Sequence, residues 1–103
     1  VNFLAKQLDL DPSGIKDLCF ELGSQFDNLY LLFGAENDGK AILSCYVSKN
    51  LVDAKGLNAG TIVRELGKHI HGGGGGQPFF ATAGGKNPAG IANALQAAKD
   101  YIS

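Results

Sequence analysis

Gly72-Gly73-Gly74-Gly75-Gly76-Gln77-Pro78-Phe79-Phe80-Ala81-Thr82-Ala83-Gly84-Gly85-Lys86-Asn87-Pro88 sets five consecutive glycines inside a chain of only 103 residues. An ordered glycine costs roughly 0.5–1 kcal/mol relative to alanine in lost chain freedom. Five of them therefore rival much of a small domain's net stability and need a reason. Three explanations compete. The run is a flexible linker, or a tight crossing where backbone passes against backbone. Alternatively it is a ligand surface, whose bare N–H groups approach a phosphate or the flat face of a base. Both flanks read as parts of one domain and a capped helix follows, which disfavours the linker. The ligand surface is favoured over the crossing.

Residues on either side narrow the chemistry. A Walker loop needs Gly-Lys-Ser/Thr opening a helix, and here Gly76 leads into Gln77-Pro78-Phe79. A dinucleotide fingerprint needs its glycines between a strand and a following helix, whereas these follow a helix and precede an extended segment. Nucleotide hydrolysis and Rossmann-type cofactor binding are thereby excluded. His69 and His71 stand just before the run, with no Cys, Asp or Glu cluster at ligand spacing to make a metal site. No paired acid or nucleophile accompanies them, so no catalytic residue is assigned. Their functional role is hydrogen bonding to phosphate or sugar. The competing explanation for both, and for Lys68, is a favourable place near helix-end carbonyls. Lys86 beside Gly84-Gly85 is the best single phosphate contact. Lys49 and Lys55 can extend the same surface.

Working outward, Val1–Leu8 reads as a short strand. Asp11 caps a helix with Pro12 at its first position. Ile15, Leu18, Cys19, Leu22 and Phe26 form its apolar stripe. Gly23 weakens the helix and Asp27-Asn28 ends it. Leu29–Phe33 is a continuous apolar run, as in a strand covered on both faces. Asn37-Asp38-Gly39 signals a hairpin, and Ala41–Val47 returns with Ala41, Leu43, Cys45 and Val47 on one face. Ser48–Leu57 reads as a polar loop. Asn58 caps a second helix whose apolar positions are Ile62, Val63, Leu66 and Ile70. After the glycines, Gln77–Ala83 is extended, with Pro78 limiting it to a strand start or edge, and Gly84-Gly85 turns the chain. Asn87 caps a last helix with Ile91, Leu95, Ala98 and Ile102 on one side. The result is an α/β fold, a mixed sheet of four or five strands flanked by about three helices in the order β-α-β-β-α-β-α. A ferredoxin-like split unit is the alternative architecture.

Composition bounds the rest. Apolar residues make up 45% and charged residues 18%, as in ordinary folded domains and unlike disordered chains. The length allows a single domain. Its start at Val1, without Met, suggests a fragment of a longer chain. No stretch reaches the ~18–20 apolar residues of a membrane span, and no signal peptide is present. Cys19 and Cys45 sit in apolar patterns and read as buried reduced thiols, fitting a cytoplasmic location. Net charge is −1. Its distribution is uneven: residues 1–48 hold three lysines against seven acids, and residues 49–86 hold five basic residues against two acids. Such asymmetry can give one basic face, and a basic face attracts phosphate.

The quoted segment resembles the signature near the end of alanyl-tRNA synthetases: a glycine run, a basic residue, Pro, two variable positions, Ala, a polar residue, small residues, a Gly pair and a capped helix. Leu57-Asn58-Ala59-Gly60 and the helix to His71 are similar to the same family. This is the DHH-associated domain class, which also ends DHH phosphoesterases. One departure is Gln77, where the family often has Arg or Lys, so a phosphate-pairing charge is missing. Phe79 and Phe80 replace a more polar pair, one of them as core. The resemblance implies a non-catalytic tRNA-binding C-terminal domain. It would contact the outer corner of tRNA through Gly72, Gly73, Gly74, Gly75, Gly76, Gln77, Lys86, Lys68, His71 and His69. It would also bridge the aminoacylation and editing parts of the same chain. ATP, magnesium and zinc are implied for the full-length synthetase, with no cofactor in this fragment. The alternative is the substrate-clamping domain of a DHH-family phosphoesterase. Self-association is a further expectation.

Overall fold

The structure is a computed structural model that describes residues 2–102. In chain order the strands and helices are β1 (Asn2–Gln7), α1 (Pro12–Gln25), β2 (Leu29–Asn37), β3 (Lys40–Val47), α2 (Lys49–Lys55), α3 (Ala59–Leu66), β4 (Gly72–Gly76), β5 (Phe80–Gly85) and α4 (Ile91–Ala97). Short 3-10 turns at Gly67–Ile70, Pro88–Gly90 and Ala98–Tyr101 extend α3, introduce α4 and follow it.

The five strands form one mixed sheet in the order β1-β2-β3-β5-β4. β1 runs parallel to β2, and the other pairs are antiparallel. In a ferredoxin-like split unit another strand would separate β1 from β2. Here they are hydrogen-bonded neighbours, so that alternative is set aside.

Three layers result. Leu29, Leu31, Phe33 and Ala35 of β2 bury against Ile15 and Cys19 of α1. Tyr30 and Leu32 alternate to the opposite face and join Ala41, Leu43, Cys45 and Val47 of β3 under α2, α3 and α4. The uninterrupted apolar run of β2 follows from this cover on both sides. The Asp11 carboxylate accepts from the Gly14 N–H at 2.7 Å, so α1 starts where its cap predicts. Asp38 and Gly39 adopt φ of 53° and 76°, the two left-handed positions of a tight hairpin turn. Among the described residues no helix is long and apolar enough to cross a membrane.

Four local expectations are corrected. The polar loop after Ser48 contains α2, anchored by Leu51, which is buried. Its single buried side chain gives too weak a period to be seen in sequence. The glycine run is itself a strand. Gly84-Gly85 does not turn the chain but ends β5, paired with Gly73 and Gly72. Asn87 makes no capping bond; its side-chain amide instead donates to the His69 carbonyl at 3.3 Å.

Candidate nucleic-acid interface

β4 is an edge strand, and all five glycines pair with β5 across the ladder. A linker is excluded on that ground. The five positions are not equivalent. A Cβ on Gly72 would collide with the Gly84 carbonyl oxygen and lie 2.5 Å from the Gly85 Cα. On Gly74 it would collide with the Thr82 carbonyl oxygen, and on Gly76 it would lie 2.8 Å from the Ala81 Cα. These three glycines are demanded by backbone crossing backbone. Gly73 would meet nothing within 4 Å, and Gly75 only the Arg64 Nη2 at 4.0 Å.

Helix α3 lies along the helix-side face of this strand. A Cβ on Gly60 would come 3.1 Å from the Gly76 carbonyl oxygen, and one on Gly67 3.2 Å from the Gly73 Cα. Two small residues seven apart share one helix face, so the helix seats closely on bare backbone. Arg64 lies between them in that stripe and reaches Gly75. The turn closing the ribbon is pinned as well. The Gln77 N–H donates to the Phe80 carbonyl at 2.9 Å, the Ala59 N–H to Pro78 at 2.8 Å, and the Val47 N–H to Phe79 at 2.9 Å.

The other face of β5 and β4 is open. Register puts Gly75 opposite Thr82 and Gly73 opposite Gly84. Alternation along β5 sends Phe80, Thr82 and Gly84 to the α1 side, since Ala81 and Ala83 are buried in the core on the other side. Cover from α1 stops at Phe80, whose ring lies 5.4 Å from that of Phe20, with the Lys16 ammonium 5.9 Å from its centroid. Beyond it Thr82 and Gly84 are exposed, forming a shelf almost free of side chains. At its end is a pocket lined by Lys40 and Lys86, together with Asn37, Asp38, Pro12 and Gly84. Phe80 is thus the half-buried member of the phenylalanine pair, and Phe79 is 43% exposed.

Gly72, Gly73, Gly74 and Gly76 are exposed and Gly75 half-exposed. Gln77 is exposed in the hairpin turn, and Lys86 is exposed where β5 ends. His71 is exposed at a left-handed φ of 54°, leading into β4. The Asn87 N–H donates to the Ile70 carbonyl at 3.0 Å, which holds the Lys86 end of β5 beside the chain entering the ribbon. Lys68 and His69 are exposed on the 3-10 turn beneath α3. There Gly90 packs on the His69 backbone, 2.6 Å from its carbonyl carbon for an added Cβ. Lys49 and Lys55 belong to α2 on the layer opposite α1, away from the shelf.

Arg64, Lys16 and Lys40 were missed in the sequence. The signal for Arg64 was its helical spacing from Gly60 and Gly67. Lys16 and Lys40 had none, since both lie in the acidic half of the chain. Cys19 and Cys45 are buried free thiols, and burial pushes Cys19 up to about 12. Among the described residues no three His, Cys, Asp or Glu side chains gather as a metal site. An exposed ribbon of bare amides bordered by cations offers hydrogen bonding and charge to an extended polyanion.

Comparison with known proteins bears on the family and the fold. The DHHA1 domain family model matches residues 1–103. The alanine–tRNA ligase of Christiangramia forsetii is 69% identical over 102 residues, 99% of this chain. That of Flavobacterium psychrophilum is 47% identical over 102 residues, also 99% of this chain. In both cases the chain spans 12% of the relative's length. The crystal structure of the C-Ala domain from Aquifex aeolicus alanyl-tRNA synthetase superposes with a TM-score of 0.84 at 26% identity, covering 99% of this chain and 89% of that one.

Proposed function

This chain belongs to the DHHA1 domain family, and from that membership we propose that it is the tRNA-binding C-terminal domain of an alanine–tRNA ligase. It contacts the outer corner of tRNA and bridges the aminoacylation and editing parts of the enzyme. The domain performs no catalysis itself. ATP and the metals serve parts of the full-length ligase outside this chain, and the ligase works in the cytoplasm. The phosphoesterase alternative falls behind because the relatives described above carry the ligase name.

One observation carries the proposal: the glycine ribbon is exposed at a sheet edge with cations beside it. Bare backbone lets a bent polynucleotide approach closely, and Lys86, Lys68 and the histidines meet phosphates. Recognition rests on shape and backbone contact, because the deep groove of folded RNA hides its base edges. A net charge of −1 makes this a weak binder alone. Tethering to the rest of the enzyme supplies a high effective concentration.

The test is a tRNA titration of the full-length ligase with and without these 103 residues. Deletion is expected to weaken binding, and unchanged affinity would overturn the proposal. In the intact enzyme, Lys86→Ala should weaken binding and reduce the salt slope by about 1. An unchanged slope removes Lys86 from the interface.

A further inference from the structure

The glycines divide by what the fold requires. Gly72, Gly74 and Gly76 leave no room for a Cβ. Gly73 and Gly84 face each other across the β4–β5 ladder, and a Cβ on either would meet nothing within 4 Å. Neither has a φ in the left-handed range. Gly75 would meet only the Arg64 guanidinium at ordinary contact distance. Alanine at these three sites would fit, and it would narrow the unfolded ensemble. Folding therefore gives no reason for glycine at Gly73, Gly75 or Gly84. What remains is close approach by something outside the domain.

Charge identifies the kind of visitor. Lys16 borders the shelf from α1, Lys40 and Lys86 border its end, and Arg64 reaches its free edge from α3. Asp38 is the acidic residue lining the pocket at that end. Four cations around a surface almost free of side chains, with Thr82 beside Gly75, suit a chain of phosphates. We propose that the tRNA sugar–phosphate backbone lies across the patch Gly73–Gly84–Gly75, between Lys16 and Lys40 on one border and Arg64 on the other. This rests on the tRNA-binding proposal above and locates its contact face. The exposed face of the β4–β5 hairpin is the footprint, rather than the glycine run as a whole. Gly72, Gly74 and Gly76 serve the fold.

The test uses the full-length ligase carrying Gly73→Ala with Gly84→Ala. Hydrogen exchange of the β4–β5 amides should stay as protected as in the parent. Affinity for whole tRNA should fall by about tenfold. Binding of a hairpin RNA that reproduces only the acceptor arm should not change. Arg64→Gln should also weaken whole-tRNA binding and lower its salt slope by about 1. Intact protection with unchanged tRNA affinity in the alanine pair overturns the inference, as does lost protection, which would show that folding needs those glycines. If deleting the domain weakens tRNA binding and the alanine pair does not, this footprint fails and the tRNA-binding proposal stands.

Discussion

A side chain at Gly74 would strike the carbonyl oxygen of Thr82, its partner strand's backbone, while lying 2.5 Å from the Ala83 Cα. A Cβ has no rotamer and the nearest atoms it meets are backbone, so no side-chain adjustment relieves the contact. Gly74→Ala should therefore destabilise the domain by about 1–3 kcal/mol, the usual range for overpacking. A lowered midpoint in urea unfolding of the 103-residue chain checks this. Equal stability of Gly74→Ala and the parent would refute the steric account.

Asp11 holds the first turn of α1 through its bond to the Gly14 N–H. Asp11→Ala should cost about 0.5–2 kcal/mol, and Asp11→Asn should retain most of the stability. Thermal unfolding of the two variants distinguishes capping from simple charge removal.

Tyr30 is fully buried, and its hydroxyl donates to the Ala98 carbonyl at 2.8 Å. Tyr30→Phe keeps the ring but removes this buried hydrogen bond, which should cost about 0.5–1.5 kcal/mol. Tyr101 makes a similar bond to Glu65 at 2.7 Å at a half-exposed site. There water can replace the lost partner, so Tyr101→Phe should cost less. Denaturant unfolding of both single variants gives the ranking.

Burial raises the Cys19 thiol from 9.0 to about 12. Cys45 shifts the same way, first through burial and then through the neighbouring Cys19. An unfolded chain then loses these protons at lower pH than the folded one. Stability from this source is complete below pH 9 and declines as pH rises from 9 towards 12. Urea midpoints measured between pH 7 and 10.5 should fall only in the upper part of that range. At pH 8 both thiols should resist a thiol reagent until urea is added.

Much of the fold was legible because its signals are local. Asp11 and Asn58 cap helices by bonding to N–H groups three residues on, at 2.7 and 3.1 Å. Asp38-Gly39 turns a hairpin whatever lies around it. The apolar run of β2 announced two covered faces. Two elements escaped. α2 buries only Leu51, too little for a periodic pattern. β4 has no side chains, so it shows no alternation, and only its pairing with β5 makes it a strand.

The site divides in the same way. Sequence alone pointed to the glycine run and Lys86 as the place to look, because composition and short spacing survive without a fold, and the family resemblance added Gln77. It could not sort the glycines, since whether a Cβ has room depends on the strand across the ladder. Nor could it recruit Lys16, Lys40 and Arg64, which are widely separated in the chain and carried to the shelf by three different elements. Packing and electrostatics act through distance in space, and only the tertiary structure brings those residues within reach of the same surface.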